Sequence, residues 1–121
     1  MKFFDNHAHL DDEKFNEDRE ELIEKIKQEG IETFISAGYS LESSKKAIEL
    51  SKKYEFIYTT CGISPNDIPQ TEDELWKDIG EIETLVKENI DDSKIVAIGE
   101  IGLDYYWEKD LQRRGLQRQA F

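Results

Sequence analysis

Apolar residues along this chain follow two alternating patterns: short continuous runs, and stretches in which they return every three or four positions. Short runs rich in apolar and β-branched residues read as buried strands, and the three-and-four spacing reads as one face of a helix. Lys2 to Asp5 predict a first, short strand. Leu22, Ile23 and Ile26 then share a helical face, with Glu21 and Lys25 paired on the exposed side in the favourable orientation. Gly30 closes that helix as C-cap glycines do. Ile31 to Ala37 (IETFISA) predict a second strand closed by Gly38, and Ser40 is placed to cap a second helix carrying Leu41, Ala47, Ile48 and Leu50. Phe56 to Cys61 (FIYTTC) predict a third strand. Thr71 and Glu74 have capping-box spacing ahead of a third helix, whose Leu75, Ile79, Ile82 and Val86 form one stripe. Lys94 to Gly99 (KIVAIG) predict a fourth strand.

Strand and helix thus alternate from end to end. Repeated βα units with short apolar strands imply an α/β protein, a parallel sheet covered by helices. Two architectures fit the pattern: a doubly wound open sheet, or part of a (β/α)8 barrel. Periodicity does not separate them.

Composition narrows the class. The 121 residues suffice for one compact domain with a modest core. The apolar fraction is 37% and the charged fraction 36%, but the apolar residues cluster, which marks a folded chain rather than a disordered acidic one. Acidic residues number 28 against 16 basic ones, a formal net charge of -12. A protein that grips nucleic acid by neutralising many phosphates needs the opposite balance. A phosphodiester substrate is still compatible, because a bound divalent cation supplies local positive charge. Cys61 is the lone cysteine, so no intramolecular disulfide forms. The N-terminus lacks the apolar stretch of a signal peptide, and no segment approaches a membrane span. The expected setting is cytoplasmic, away from any membrane.

Two segments carry candidate chemistry. His7 and His9, the only histidines, stand two apart near the first strand, where an extended backbone points both side chains the same way. Two imidazoles so placed can converge on one cation, although a His-x-His pair is equally readable as loop histidines on a surface. Gly99-Glu100-Ile101-Gly102-Leu103-Asp104-Tyr105-Tyr106 follows the fourth strand directly. A carboxylate at the C-terminal end of a parallel strand sits where α/β active sites are built. Alone, Glu100 reads as a solvated turn residue.

Taken together, Asp5-Asn6-His7-Ala8-His9-Leu10-Asp11 and Gly99 to Tyr106 resemble the two signatures of the TatD-type deoxyribonucleases, metal-dependent members of the amidohydrolase superfamily. The resemblance implies that the chain forms the first half of a TIM-like (β/α)8 barrel, over residues 1–108, with a divalent-metal centre at the C-terminal ends of its strands. It also implies that His7, His9 and Glu100 are metal ligands, with Glu100 bridging two ions in two-metal members. The expected cofactor is Mg²⁺, Mn²⁺ or Zn²⁺, two ions in a complete barrel. The expected reaction is hydrolysis of DNA or another phosphodiester by metal-activated water. Other ester or amide hydrolysis of the amidohydrolase type is the alternative.

Two departures qualify the expectation. Cys61-Gly62-Ile63-Ser64-Pro65-Asn66 falls where the family usually carries Gly-x-His-Pro-His, so no ligand is assigned there. Ser64 and Asn66 remain candidates for hydrogen bonds to substrate, with turn formation at Pro65 the plainer role. Tyr105 and Tyr106 are candidates for stacking on a base or sugar, with packing at the barrel mouth the plainer role. The second departure is length. A full barrel typically needs about 250 residues, and the family draws further ligands from later strands. The isolated chain is therefore expected to be weakly active or silent, and to associate as a homo-oligomer through its open half-barrel. Residues 109–121, with Arg113, Arg114 and Arg118, read as a solvated basic tail or the start of a further helix interrupted at Gly115. Gln117 and Phe121 match the spacing of a Gln and an aromatic in the family's next helix. Trp76 is expected in the core, and Cys61 is expected to be a small buried residue rather than a nucleophile.

Overall fold

A computed structural model describes all 121 residues. Four strands and four α-helices alternate: β1 (Phe3–Ala8), α1 (Arg19–Gln28), β2 (Ile31–Ala37), α2 (Leu41–Lys53), β3 (Ile57–Cys61), α3 (Glu72–Asn89), β4 (Ile95–Ile98) and α4 (Leu111–Ala120). A single 3-10 turn, Glu13–Phe15, precedes α1. The strands form one parallel sheet in the order β1-β2-β3-β4. Sequential order without reversal leaves no topological switch point, and right-handed crossovers then put every helix on one side. The doubly wound alternative is thereby excluded, and the arrangement is that of half a (β/α)8 barrel.

Local chemistry explains the helix starts. The Ser40 hydroxyl accepts the Ser43 N–H at 3.1 Å, and Thr71 and Glu74 complete the expected capping box. Gly30, at φ +96°, takes the left-handed turn that ends α1 and lets the Met1 carbonyl pass where a Cβ would sit. β1 runs through Ala8 rather than stopping at Asp5, because backbone pairing with β2 continues past the polar Asn6 and His7, with an irregularity in register. His7 therefore lies within the strand and His9 one residue beyond it.

Burial is one-sided. Phe34 and Ile57 pack with Leu10 and Ile23 in one apolar cluster. Ile48, Cys61, Ile63, Ile68, Leu75, Ile82 and Leu116 form the other, between the sheet and helices α2, α3 and α4. In contrast, Phe3, Phe4, Val96 and Ile98, on the two outer strands, are more than half exposed. The expected core position of Trp76 is wrong: it lies beside the α3 stripe, half exposed, and its indole N–H donates to Glu72 at 3.4 Å.

The C-terminal segment is the further helix, one of its two expected readings, without the expected interruption. It is neither frayed nor broken at Gly115, but continuous helix. Asp110 caps it by accepting the Arg113 N–H at 2.8 Å, while Leu116 and Gln117 are buried. Docking of Leu116 into the apolar cluster outweighs the helix cost of one glycine, about 1 kcal/mol. The basic residues are engaged internally. Arg113 donates to the Ile68 and Pro69 carbonyls and to Glu108, and Arg114 donates to the carbonyls of Tyr105 and Glu108. They form no open phosphate patch. Leu116→Ala is accordingly expected to cost about 2–5 kcal/mol in urea unfolding; an unchanged midpoint would mean that the segment does not dock.

Candidate metal centre

Parallel strands deliver the backbone at their C-terminal ends to one edge, and there β1 and β4 present His7, His9 and Glu100. One nitrogen from each imidazole and one carboxylate oxygen lie within 4.8 Å of one another. His7 Nε2 is 3.4 Å from Glu100 Oε2, and His9 Nε2 is 3.7 Å from the same oxygen. Ligands about 2.1 Å from a shared cation stand roughly 3.0–3.4 Å apart, so the cluster is close to coordinating geometry. The rings meet edge to face at 5.1 Å, and His9 meets Tyr39 likewise at 5.2 Å. His7, His9 and Glu100 side chains are 53%, 32% and 34% exposed, open on one side to an incoming molecule.

Buried backbone orients the set. His9 Nδ1 lies 2.8 Å from the Ala37 carbonyl, which only a protonated Nδ1 satisfies. The other nitrogen, Nε2, is left with its lone pair aimed toward Glu100 and His7. A hydrogen bond of this kind fixes the tautomer and ring orientation of a ligating histidine. The His7 N–H donates to Asp5 at 3.1 Å, and Arg19 donates to the Leu10, Asp11 and Asp12 carbonyls, securing the chain just after His9. Asp11 is buried and accepts the Ser43 hydroxyl at 2.6 Å. Asp12 accepts the Lys14 N–H, which holds its carboxyl below the usual range.

Glu100 is set by contacts that the sequence did not disclose. The Gly99 N–H donates to the Cys61 carbonyl at 2.9 Å, and the Glu100 N–H donates to the Gly38 carbonyl. A Cβ on Gly62 would stand 2.6 Å from the Gly99 carbonyl carbon and 2.7 Å from the Glu100 oxygen. Gly38 is equally confined, with Thr60 O and Ser44 within 3 Å of a built Cβ. Each glycine follows a strand by one residue, a visible signal, but one that reads only as a strand end.

The remaining candidates divide. Ser64 is buried, its hydroxyl donating to Asp67 and its N–H to the Tyr39 carbonyl at 2.8 Å, so its role is in the turn. Asn66 is exposed on that turn. Tyr105 is part-buried under Arg114, 4.8 Å from ring centre to guanidinium, and its hydroxyl accepts from Arg118 at 3.0 Å. Tyr106 is exposed. Cys61 is buried as expected, and burial pushes its thiol up to about 11, far from a thiolate nucleophile.

Two outcomes follow from this geometry. Nitrogen NMR near pH 8.5, where an imidazole is neutral, should find His9 protonated on Nδ1; the Nε2–H tautomer would contradict the Ala37 contact. Gly62→Ala should lower stability by about 1–3 kcal/mol, since its neighbours are backbone that cannot step aside. Gly80→Ala, in α3 with nothing within 4 Å of its Cβ, should raise stability by up to about 1 kcal/mol. Equal effects in thermal unfolding would remove the claim that Gly62 is sterically required.

Comparison with known proteins agrees with this arrangement. The TatD related DNase family model matches residues 4–121. A metal-dependent hydrolase of Bacillus subtilis, itself uncharacterized, is 39% identical over 120 residues, covering 98% of this chain and 43% of the relative. A 3'-5' ssDNA/RNA exonuclease TatD of Cronobacter sakazakii is 32% identical over 102 residues, 84% of this chain and 36% of that protein. The crystal structure of a TatD homolog from Escherichia coli superposes with a TM-score of 0.79 at 25% identity, over 98% of this chain and 43% of its own. The chain thus spans less than half the length of the relatives it matches, and aligns with the N-terminal part of their barrel. By signatures, strand order and family match, the chain belongs to the TatD family of metal-dependent hydrolases.

Proposed function

We propose that His7, His9 and Glu100 hold a divalent cation and that this chain contributes one half of a phosphodiesterase site acting on DNA or RNA strands. The convergence of two imidazole nitrogens and one carboxylate oxygen at the strand ends carries the reading. The family and the exonuclease name of the Cronobacter relative support the substrate class. Mn²⁺ or Zn²⁺ suits two nitrogen donors better than Mg²⁺, which prefers oxygen. When bound, such a cation activates water and neutralises charge on a phosphoryl oxygen. The chain's own residues orient the donors: Ala37 fixes the His9 tautomer, and the Gly38 carbonyl receives the Glu100 N–H. Asn66 and Tyr106 are the exposed residues left to meet substrate.

Three protein ligands and a half-barrel bear on what the chain does alone. β1 and β4 each have one strand neighbour, and Val96 and Ile98 face open solvent between them. Unpaired strand edges invite pairing. In this reading, β4 of one copy pairs with β1 of a second, closing eight strands and bringing two His7–His9–Glu100 sets to one mouth. Two cations at that mouth would follow. A single copy is weakly active or silent. No helix is long and apolar enough to cross a membrane. A cytoplasmic setting belongs to the proposal, supported by the lone Cys61.

Calorimetry with Mn²⁺ or Zn²⁺ tests the ligand set. Binding that vanishes in a His7→Ala, His9→Ala double variant is the expected result. Tight binding indifferent to those changes would place the cation elsewhere. EDTA-sensitive cleavage of a phosphodiester, but not of carboxylic esters or amides, separates this reading from the other hydrolase chemistry.

A further inference from the structure

We propose that Tyr106 and Trp107 form a stacking platform that takes an unpaired nucleobase of the substrate strand. The inference rests on the phosphodiesterase reading and adds how the strand is held. Both side chains are largely exposed, 73% and 74%, where aromatic rings of this size are ordinarily at least half covered. Exposure alone carries little. The backbone beneath the rings carries more.

Asp104 accepts the N–H groups of both Tyr106 and Trp107, each at 3.1 Å. The Asp104 N–H in turn donates to the Gln117 side-chain oxygen at 2.9 Å, and the Gln117 amide nitrogen donates to the Pro65 carbonyl at 3.1 Å. Gln117 is 1% exposed. A buried amide therefore fixes the aromatic loop to α4 and to the turn after β3. The backbone beneath the rings is held before any ligand arrives, which reduces the entropy lost on binding. Tyr106 and Trp107 meet edge to face, centroids 4.7 Å apart at 88°. A perpendicular pair forms a notch with an aromatic face left free, the shape a flat base enters.

The neighbours fit a nucleotide. Lys109 Nζ lies over one face of the Tyr106 ring, 5.6 Å from its centre, and donates to the Tyr105 carbonyl at 3.2 Å, while the exposed Arg118 donates to the Tyr105 hydroxyl at 3.0 Å, so both place positive charge beside the aromatic loop. The loop follows Glu100 in the chain, which stands six and seven residues before Tyr106 and Trp107. The overall charge points the same way. A chain of net charge -12, with Arg19, Arg113 and Arg114 engaged by its own carbonyls, has few cations to spread along phosphates. Stacking on aromatic side chains is the sequence-tolerant alternative for single strands. Base pairs in a duplex keep their faces covered and are excluded.

The test reads binding without hydrolysis. In a Trp76→Phe variant Trp107 is the sole tryptophan, and its fluorescence is followed in EDTA while oligo(dT) is added. The expected result is quenching by the single strand and little by an abasic strand of equal length or by a duplex. By anisotropy of a labelled strand, Trp107→Ala and Tyr106→Ala should weaken binding about tenfold each. Trp107→Phe, which keeps an aromatic face, should retain most of the affinity, separating stacking from general disturbance of the loop. Equal binding of the abasic strand, or failure of Trp107→Phe to retain affinity, would overturn the proposal. Because EDTA removes the cation, these outcomes are independent of whether His7, His9 and Glu100 bind metal.

Discussion

Where β4 leaves the sheet, the Gly99 N–H donates to Cys61 and the Glu100 N–H reaches the Gly38 carbonyl across the end of β3. That pair of bonds needs β3 and β4 to approach more closely than a side chain at residue 62 would permit. The geometry at the strand ends descends from this approach. It sets the height at which Glu100 emerges, and hence whether its carboxylate meets the imidazoles. His9 is positioned by the same region of backbone, since Ala37, whose carbonyl faces its Nδ1, precedes the Gly38 that receives Glu100. Two glycines and two backbone carbonyls thus bring together residues more than 90 positions apart.

A second layer holds the loops around that edge. Arg19 fixes the segment after His9 through three carbonyls, Gln117 ties the Asp104 loop to Pro65, and Arg113 ties α4 to Ile68 and Pro69. The arginines donate to main-chain carbonyls, whereas Gln117 accepts from the Asp104 N–H and donates to the Pro65 carbonyl; hydrogen bonds from charged groups are among the stronger ones. The consequence is that these arginines hold the mouth in shape, with N–H donors already committed to the protein's own oxygens. Under the proposed function, the His7–His9–Glu100 cluster and the exposed aromatic loop would supply the affinity.

The strand and helix order was readable from apolar spacing because each element buries one face, and the caps at Ser40 and Thr71 were readable because their hydrogen bonds are local. His7, His9 and Glu100 were readable only as a set, through signatures that place them at strand ends. What failed was what depends on distant partners. Gly115 looked like a break because helix propensity is local, whereas its helix is held by Leu116 against residues far earlier in the chain. Trp76 sits next to an apolar stripe but just off it, and one position on a helix turns a side chain about 100°. Ser64, for which a turn was the plainer reading, does hold that turn through Asp67. Gly62 and Gln117 gave no sign of their roles, since those roles exist only once strand ends and α4 meet.

The account turns on one cation coordinated by two imidazoles and a carboxylate. Pulsed EPR of the Mn²⁺-loaded protein reads this directly through hyperfine coupling to ligand nitrogen. Two imidazole nitrogens at the Mn²⁺ ion, one lost in His7→Ala and one in His9→Ala, is the predicted spectrum. Mn²⁺ bound with oxygen ligands alone, on some other part of this acidic surface, would contradict it.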